Sequence, residues 1–480
     1  MDKMQALAVI DGKKDWLDHL GDQVWDCAET AFQEFGSMKI LCDALAEAGF
    51  EVAQNVGDVP TAFTGRYGSG KPVIGFLGEF DALSGLNQKA CCTSKEAFQA
   101  GAPGHGCGHN NLGVGSLGAA IAVKEYLSAN NLPGTVIYYG CPGEEGGSGK
   151  AFMAREGVFD ELDIALTWHP GDVNCVASGS SLANYQVSYK FKGISAHAAG
   201  CPHLGRSALD AVELMNVAVN FLREHVIPEA RMHYAITNSG GFSPNVVQAE
   251  AEVLYLLRAP KTPQVAEIYD RVNDIAKGAA LMTSTQLETR FIKACSNVVP
   301  NNVLERLMHK NLSELPLPTY TDEEMAFAKS IRESVENLSN TLESKADKYG
   351  IEGKRLAKEH KDDIINNFVV PYVPDDTAMP GSTDVGDVSW VCPTAQVNTA
   401  TWASGTPGHS WQVVAQGKSE IAHKATILAA KVMAGTAIDA ILDPSIIEAA
   451  KEELNDRLDG GKYVCPIPKG VKPAAINPGK

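Results

Sequence analysis

The stretch from residue 134 to residue 170, GTVIYYGCPGEEGGSGKAFMAREGVFDELDIALTWHP, indicates the fold class. An apolar strand, GTVIYYG, ends in a turn with two adjacent glutamates. A helix follows near Gly149–Glu156, and ELDIALTWHP predicts a second strand. Strands that alternate with helices are typical of a parallel, doubly wound α/β sheet. Ligands of such sheets bind beyond the carboxyl ends of the strands, which is where Glu144, Glu145 and His169 fall.

The flanking sequence extends this alternation in both directions. Upstream, KPVIGFLGEFDAL predicts a buried strand that ends at Glu79 and Asp81, and the apolar run Gly113–Ala129 predicts a buried helix. Downstream, STDVGDVSWVCP, QVNTATWASG and the helix IAHKATILAAKVMAGTAIDAIL return to the same α/β pattern. We therefore expect one catalytic domain that is assembled from residues 1–183 and 298–480.

The pattern changes between these two parts. Residues 184–297 run in the order strand, helix, strand, strand, helix, strand, and the first strand, ANYQVSYKFKG, alternates between apolar and polar residues. This order is the ferredoxin-like plan, and alternating strands suit an antiparallel sheet with helices on one face. We expect 184–297 to form a second domain inserted into the first. After it, the segment 313–375 is charged, rich in predicted helix and interrupted by prolines.

Composition and charge exclude several classes of protein. The chain has 480 residues, of which 44% are apolar and 21% charged, close to the average of globular domains. A net charge of −17 disfavours binding to nucleic acid or anionic lipid. No run approaches the roughly 20 uninterrupted apolar residues of a membrane-spanning helix, and the N-terminus shows no secretory signal. Eleven scattered cysteines then predict reduced thiols and a cytoplasmic location.

Side chains of metal-ligating types recur at predicted strand ends and in glycine-rich turns. Cys107 and His109 lie in GHGCGH, Glu145 follows one strand, His169 ends the next, and His409 lies in GTPGHSW. A thiol, imidazoles and carboxylates suit first-row divalent metals. Each residue alone has a more ordinary explanation, such as a buried thiol or a surface carboxylate, but their joint placement favours a metal site. The glycine-rich turns match neither a dinucleotide fingerprint nor a Walker loop.

An ordered series of motifs between Trp16 and Pro468 resembles the M20 metallopeptidases, in the subgroup of aminoacylases and amidohydrolases with a thiolate ligand. The motifs are WDCAETAFQEFGS, GEFDAL, GHGCGHNNLG, YYGCPGEEGGSGK, TWHP, GISAHAAGCPHLGRSALDAV, HYAITNSGGFSPNVVQAEAEVLYLLRAP, STDVGDVSW and GTPGHSWQ. The resemblance implies a zinc-peptidase-like catalytic domain with an inserted ferredoxin-like lid and dimerisation domain. It also implies hydrolysis of the amide of an N-acyl or aryl-acyl acidic amino acid, with p-aminobenzoyl-glutamate as the best single expectation.

The resemblance further implies two divalent metal ions per subunit, with manganese as the expected metal and zinc as the alternative. The positions that align with the five ligands are Cys107, His109, Glu145, His169 and His409. The sequence departs from the common pattern at two places. Asn110 stands where aspartate often follows the Cys-Gly-His triplet, and Glu79-Phe80-Asp81 replaces Asp-x-Asp. Glu79 and Asp81 are therefore only candidates for contacts behind the ligands.

Four other positions align with catalytic and substrate-binding residues. Glu144 matches the general base, and His197, in SAHAAG, matches a histidine that reaches the active site of the dimer partner. Asn245, in SPNVVQ, and Arg258, in LLRAP, match residues that hold the substrate carboxylate. A planar guanidinium suits a carboxylate because it offers two parallel donors.

Several functions stay open at this point. An indole-acetyl-aspartate hydrolase or a dipeptidase would use the same fold and chemistry, and only a substrate panel separates them from the first expectation. Alternatively, the chain is a binding or regulatory subunit, although the presence of every aligned ligand argues against this. The resemblance implies a small-molecule N-acyl amino acid as substrate. It also implies a homodimer or a heterodimer with a paralogous A subunit, and neither nucleic acid nor a membrane as partner.

Overall fold

The computed structural model describes residues 1–336, 338, 342–343 and 350–475. The strands are β1 Glu51–Gln54, β2 Phe63–Ser69, β3 Val73–Glu79, β4 Gly134–Cys141, β5 Ile164–Gly171, β6 Val173–Val176, β7 Ser180–Ser181, β8 Ala183–Lys192, β9 Arg231–Asn238, β10 Glu250–Ala259, β11 Gln286–Cys295, β12 Asn366–Val369, β13 Ala378–Met379 and β14 Thr394–Ala400. The helices are α1 Lys3–Gly12, α2 Lys14–Cys27, α3 Phe35–Glu47, α4 His109–Asn130, α5 Glu144–Gly147, α6 Gly149–Arg155, α7 Ala208–Leu222, α8 Thr262–Thr283, α9 Asn302–Glu314, α10 Asp322–Glu333, α11 Gly350–Glu359, α12 Val385–Ser389, α13 Trp411–Gln416, α14 Glu420–Leu442 and α15 Pro444–Leu458.

An eight-stranded sheet with the order β1-β2-β4-β3-β5-β14-β6-β12 forms the centre of the catalytic part. Its middle strands β4, β3, β5 and β14 are parallel neighbours, whereas β2 and β6 run antiparallel to β4 and β14. The sheet is therefore mixed, and the expectation of a parallel sheet holds only for its middle. The connections explain these directions. Residues 70–72 join β2 to β3, and Asp172 alone joins β5 to β6. Both connections are too short for a crossover between parallel strands.

Apolar side chains cover both faces of this sheet, which explains why β3 and β4 are buried along their whole length. One core joins the sheet to α1–α4, α9, α14 and α15, and the other joins it to α6, α12 and the second sheet. Contact between α4 and β5 is close, since a Cβ on Gly115 would lie 2.6 Å from Nε1 of Trp168. This packing fixes the N-terminus of α4 at the edge of the sheet.

The second sheet, called here the lid sheet, has the order β11-β8-β10-β9, and each neighbouring pair is antiparallel. Helices α7 and α8 pack on one of its faces. The elements from β8 to β11 follow the order βαββαβ, which confirms the α/β architecture with a ferredoxin-like insertion. The domain limits 1–183, 184–297 and 298–480 stay a prediction.

Two segments extend beyond these layers. The segment 313–375 carries α10 and α11, and its residues 337, 339–341 and 344–349 lie outside the described residues. Near the C-terminus, residues 461–475 form no helix or strand, while 476–480 lie outside the described residues.

Helix α14 differs from the expectation that no part of the chain could span a membrane. By length and composition alone it is long and apolar enough, but 78% of its most apolar window is buried inside the protein. Such burial is typical of a core helix.

Candidate metal centre

The parallel middle strands place the predicted site residues at one edge of the large sheet. Glu79 ends β3, Glu144 and Glu145 begin α5 just after β4, and His169 lies near the end of β5. His409 lies in the loop between β14 and α13. The carboxyl ends of parallel strands share an edge, so these side chains converge although they are far apart in sequence.

Cys107 and His109 reach the same edge through a sharp turn. Gly108, between them, has a φ of +76°, in the left-handed region that glycine adopts without strain, and α4 begins at the next residue. The Sγ atom of Cys107 lies 3.4 Å from Nε2 of His169. One potential ligand atom from each of Cys107, His109 and His169 lies within 4.8 Å of the others. The three residues could therefore hold one ion.

A second group shares the same thiol. Potential ligand atoms of Cys107, Glu145 and His409 also lie within 4.8 Å of one another, and Oε1 of Glu145 is 3.3 Å from Nε2 of His409. The donor set of a soft sulfur, imidazole nitrogens and a carboxylate oxygen fits first-row divalent ions. All five residues that align with ligands are thus brought together, with Cys107 between two potential ion positions.

Buried polar atoms without partners support this interpretation. Nε2 of His109 and Oε1 of Glu145 are buried, and neither makes a hydrogen bond within the described residues. The contacts of His109 with Glu79 and of Glu145 with His409, both at 3.3 Å, lack hydrogen-bond geometry. Buried polar atoms are normally satisfied, so both atoms are available to bind a cation.

Hydrogen bonds behind the cluster orient its members. Nδ1 of His109 donates to Oδ1 of Asp81 at 2.9 Å, and the backbone N–H of Glu145 donates to Oδ2 of the same carboxylate at 3.0 Å. Nδ1 of His169 donates to the carbonyl of Pro170 at 2.7 Å. In both histidines the other ring nitrogen, Nε2, is left to face the cluster, as is usual for metal-binding imidazoles.

The surroundings of the two adjacent glutamates, Glu144 and Glu145, shift their pKa values in opposite directions. Burial and the charges of Glu79 and Glu145 raise the pKa of Glu144 well above its usual range. Burial also opposes ionisation of Glu145, but its contact with His409 and the charge of His109 prevail and lower its pKa to about 2. One carboxylate therefore binds a proton readily while its neighbour stays ionised, a division of roles that is common in catalytic sites.

A buried ion network that sequence reasoning missed lies behind Glu79. The ammonium group of Lys150, on α6, is fully buried, 2.6 Å from Oε1 of Glu79 and 2.5 Å from Oδ1 of Asp384. The glycine-rich turn before Lys150 draws attention only as a possible phosphate-binding loop, whose pattern it does not match. A lysine within the apolar run KAFMA is the signal for a buried, paired charge.

The three predicted lid residues make their hydrogen bonds outside the cluster. His197 is exposed, and its Nδ1 accepts hydrogen bonds from the backbone N–H groups of Ala199 and Gly200. The carbonyl of Asn245 accepts from Ala198 at 3.0 Å, so the loops of His197 and Asn245 are adjacent. In the part of the chain that the structure describes, no hydrogen bond or ion pair links His197, Asn245 or Arg258 to the metal cluster.

Comparison with known proteins gives related chains of nearly full length. The peptidase dimerisation domain family, M20_dimer, matches residues 180–282. The chain is 52% identical to the B subunit of p-aminobenzoyl-glutamate hydrolase from Escherichia coli (strain K12), over 97% of this chain and 98% of that protein. It is 27% identical to the Xaa-Arg dipeptidase of Mus musculus, over 95% and 93% of the two chains. A dinuclear metal-binding M20 peptidase from Bacillus subtilis has the same fold, with a TM-score of 0.54 and 16% identity over 90% of this chain and 99% of that one.

Proposed function

This chain belongs to the M20 peptidase family, and from this premise we propose that it hydrolyses p-aminobenzoyl-glutamate to p-aminobenzoate and glutamate. The observation that carries the proposal is the 52% identity to the B subunit of p-aminobenzoyl-glutamate hydrolase over nearly all of both chains. In this reaction the amide C–N bond breaks, the hydroxyl group of water joins the aryl carbonyl carbon, and the remaining proton of that water goes to the amine nitrogen of glutamate.

We propose that two divalent ions bind at the cluster, with manganese as the first expectation and zinc as the alternative. The proposed ligands are Cys107, His109, Glu145, His169 and His409. Their donor types and the two unpartnered buried atoms support this assignment. Such ions activate water at neutral pH and polarise the scissile carbonyl.

Glu144 is the proposed general base. It lies beside Glu79 and His109, with one potential ligand atom of each within 4.8 Å. With the ions bound, its carboxylate would take a proton from the attacking water and pass it to the amine that leaves. The neighbouring Glu145 has a lowered pKa, which makes it the weaker base of the two, and it is one of the proposed ligands.

The lid residues are proposed to bind the substrate. Arg258 offers a planar pair of donors to the carboxylate of the leaving amino acid, and the amide of Asn245 would assist it. His197 is exposed and has no contact with the cluster of its own chain in the described residues, which supports a role in the active site of a second subunit. There it would stabilise the negative charge on the carbonyl oxygen.

Partner and compartment are proposals as well. The match to a peptidase dimerisation domain, and to a relative that is itself one subunit of a hydrolase, supports either a homodimer or a heterodimer with a paralogous A subunit. The molar mass of the chain in solution, alone and mixed with such a paralogue, distinguishes the two. All eleven cysteines are described, and each is a free thiol, which supports a reducing compartment such as the cytoplasm.

The decisive experiment is a substrate panel with the purified, Mn²⁺-loaded or Zn²⁺-loaded chain. We expect the highest kcat/KM for p-aminobenzoyl-glutamate, compared with indole-acetyl-aspartate and an Xaa-Arg dipeptide. E144Q should lower kcat by about 10²- to 10⁴-fold while the metal content per chain is unchanged, because only the base is lost. The matched control E156Q changes an exposed glutamate beside α6 and should retain activity. Normal turnover by E144Q would show that the base is assigned wrongly.

A further inference from the structure

Two arginines face each other across the lid sheet. In the pairing of β10 with β9, Arg258 lies directly opposite Arg231. The neighbouring residues Leu257 and Met232 are buried in the core under α7 and α8, so Arg258 and Arg231 point to the other, open face of the sheet. Side chains directly opposite in an antiparallel pair have Cβ atoms about 5 Å apart, and like charges there are destabilising.

Two more basic groups surround this pair. His233 lies two residues from Arg231 on the same open face of β9. Burial and the charges of Arg258, Arg223 and Arg231 lower the pKa of His233, so all three guanidinium groups act on one imidazole. Arg223 is also close to β9, because its Nη2 donates to the carbonyl of Met232. We call Arg223, Arg231, His233 and Arg258 the basic corner.

The arginines of the basic corner lack an acidic partner in the part of the chain that the structure describes. Among the described residues, none of its three arginines forms an ion pair with an aspartate or glutamate, although the chain carries 58 acidic residues. Within the described residues, Arg258 and Arg231 donate through Nη1 only, to the carbonyls of Pro380, Pro228 and Ala230. Nε of Arg258 is buried, and no described residue accepts a hydrogen bond from it. Donors therefore remain for an anion that is not part of the described chain.

A chain of contacts leads from the basic corner to the metal cluster. Pro380, which accepts from Arg258 at 3.3 Å, lies four residues before Asp384. The carboxylate of Asp384 holds Lys150, and Lys150 holds Glu79 at the edge of the large sheet. Four residues span at most about 14 Å, so Arg258 lies near the segment whose Asp384 holds the ion network behind Glu79.

We propose that the basic corner is a subsite for two carboxylates, in which Arg258 binds the α-carboxylate of the leaving amino acid and Arg231, with His233, binds its side-chain carboxylate. This inference rests on the proposed function and names the residues that select an acidic amino acid. Two fork-shaped donors side by side match the two carboxylates of glutamate. The same charges repel the arginine side chain that an Xaa-Arg dipeptide would place there.

The test compares p-aminobenzoyl-glutamate with p-aminobenzoyl-glutamine, which has the same shape and a neutral side chain. We expect the wild type to favour the glutamate derivative in kcat/KM, and R231M to lower that preference by about tenfold or more, because a charged hydrogen bond is lost. R231K keeps the positive charge but loses the planar pair of donors, so its preference in kcat/KM should lie between those of the wild type and R231M. The control R290M removes an exposed arginine from β11, at the opposite edge of the lid sheet, and should keep the preference. An unchanged preference in both Arg231 variants would overturn the subsite.

A binding measurement separates this inference from the proposed function. Calorimetry of the metal-loaded protein with glutamate and with glutamine needs no turnover. If the wild type hydrolyses neither aminobenzoyl derivative, the proposed function fails, yet tighter binding of glutamate that is lost in R231M and reduced in R231K still supports the subsite. Equal affinity of the wild type for the two amino acids contradicts it. Circular dichroism melting curves show whether each variant is folded.

Discussion

A single carboxylate, Asp81, orients two of the proposed ligands at once. One of its oxygens accepts from the His109 ring and the other from the backbone of Glu145. Both bonds are made in a fully buried site, where hydrogen bonds to a charged group are strong. At the scale of the residue, the geometry of the metal cluster therefore depends on a side chain that is not itself one of the proposed ligands.

We predict that D81N weakens metal binding by about 10- to 100-fold, because the amide accepts through one oxygen and can no longer orient both ligands. Competition with a chromophoric chelator measures the affinity. D163N is the matched control, since Asp163 is a buried carboxylate at the opposite end of β5 that accepts from the backbone of Val73. Equal metal affinity in D81N and the wild type would refute this role of Asp81.

At the scale of the element, Lys150 joins three parts of the fold. It extends from α6 to Glu79 at the end of β3 and to Asp384, whose carboxylate also accepts from the backbone of Lys150 at 2.8 Å. The pair with Asp384 positions the start of α12 against α6. Because all three groups are buried, removal of the ammonium leaves two carboxylates without a counter-charge.

K150M should lower the free energy of unfolding by about 3–5 kcal/mol, the usual cost of leaving a buried charge unpaired. Urea denaturation monitored by tryptophan fluorescence measures this change. K451M is the comparison, since Lys451 pairs with Asp163 but its own side chain is 38% exposed, and we expect a loss of about 1 kcal/mol or less. Similar losses in the free energy of unfolding of K150M and K451M would show that the buried network around Lys150 stabilises the fold no more than a partly exposed ion pair.

At the scale of the whole molecule, Asp387 ties the insertion to the catalytic part. Its carboxylate accepts from the backbone N–H and hydroxyl of Ser296, just after β11 ends, and from the hydroxyl of Tyr463 near the C-terminus. Burial raises the pKa of Asp387 to about 7. The point where the chain leaves the lid sheet is thus held by a carboxyl group that ionises near neutral pH.

This carboxyl group predicts a pH dependence of stability. Its pKa is higher in the folded chain than the unfolded value of about 4, so its contribution to stability is fully present below pH 4 and is lost as the pH rises towards 7. We expect the urea midpoint to fall between pH 4 and pH 7, and to fall less in D387N, which cannot ionise. In D387N part of the decrease of the urea midpoint with pH remains, because burial also raises the pKa of Glu305 to about 7. Identical slopes in D387N and the wild type would contradict the prediction.

Much of the architecture could be predicted from the sequence. The order of elements, the ferredoxin-like insertion and the membership of the M20 family were confirmed. The direction of β2 and β6 was not predicted, because hydrophobic periodicity carries no information on strand direction, which the short links decide. For the site, the residue types at strand ends were sufficient to propose the ligands, whose roles stay a prediction.

The sequence by itself determined which segments form helices and strands and where metal-ligating side chains stand, because periodicity and turn chemistry act between near neighbours. Only the tertiary structure decided which charges are paired. Lys150 and Asp384 are 234 positions apart, and the opposition of Arg258 to Arg231 depends on the register of two strands. Such contacts arise from packing of the whole chain, and no local pattern encodes them.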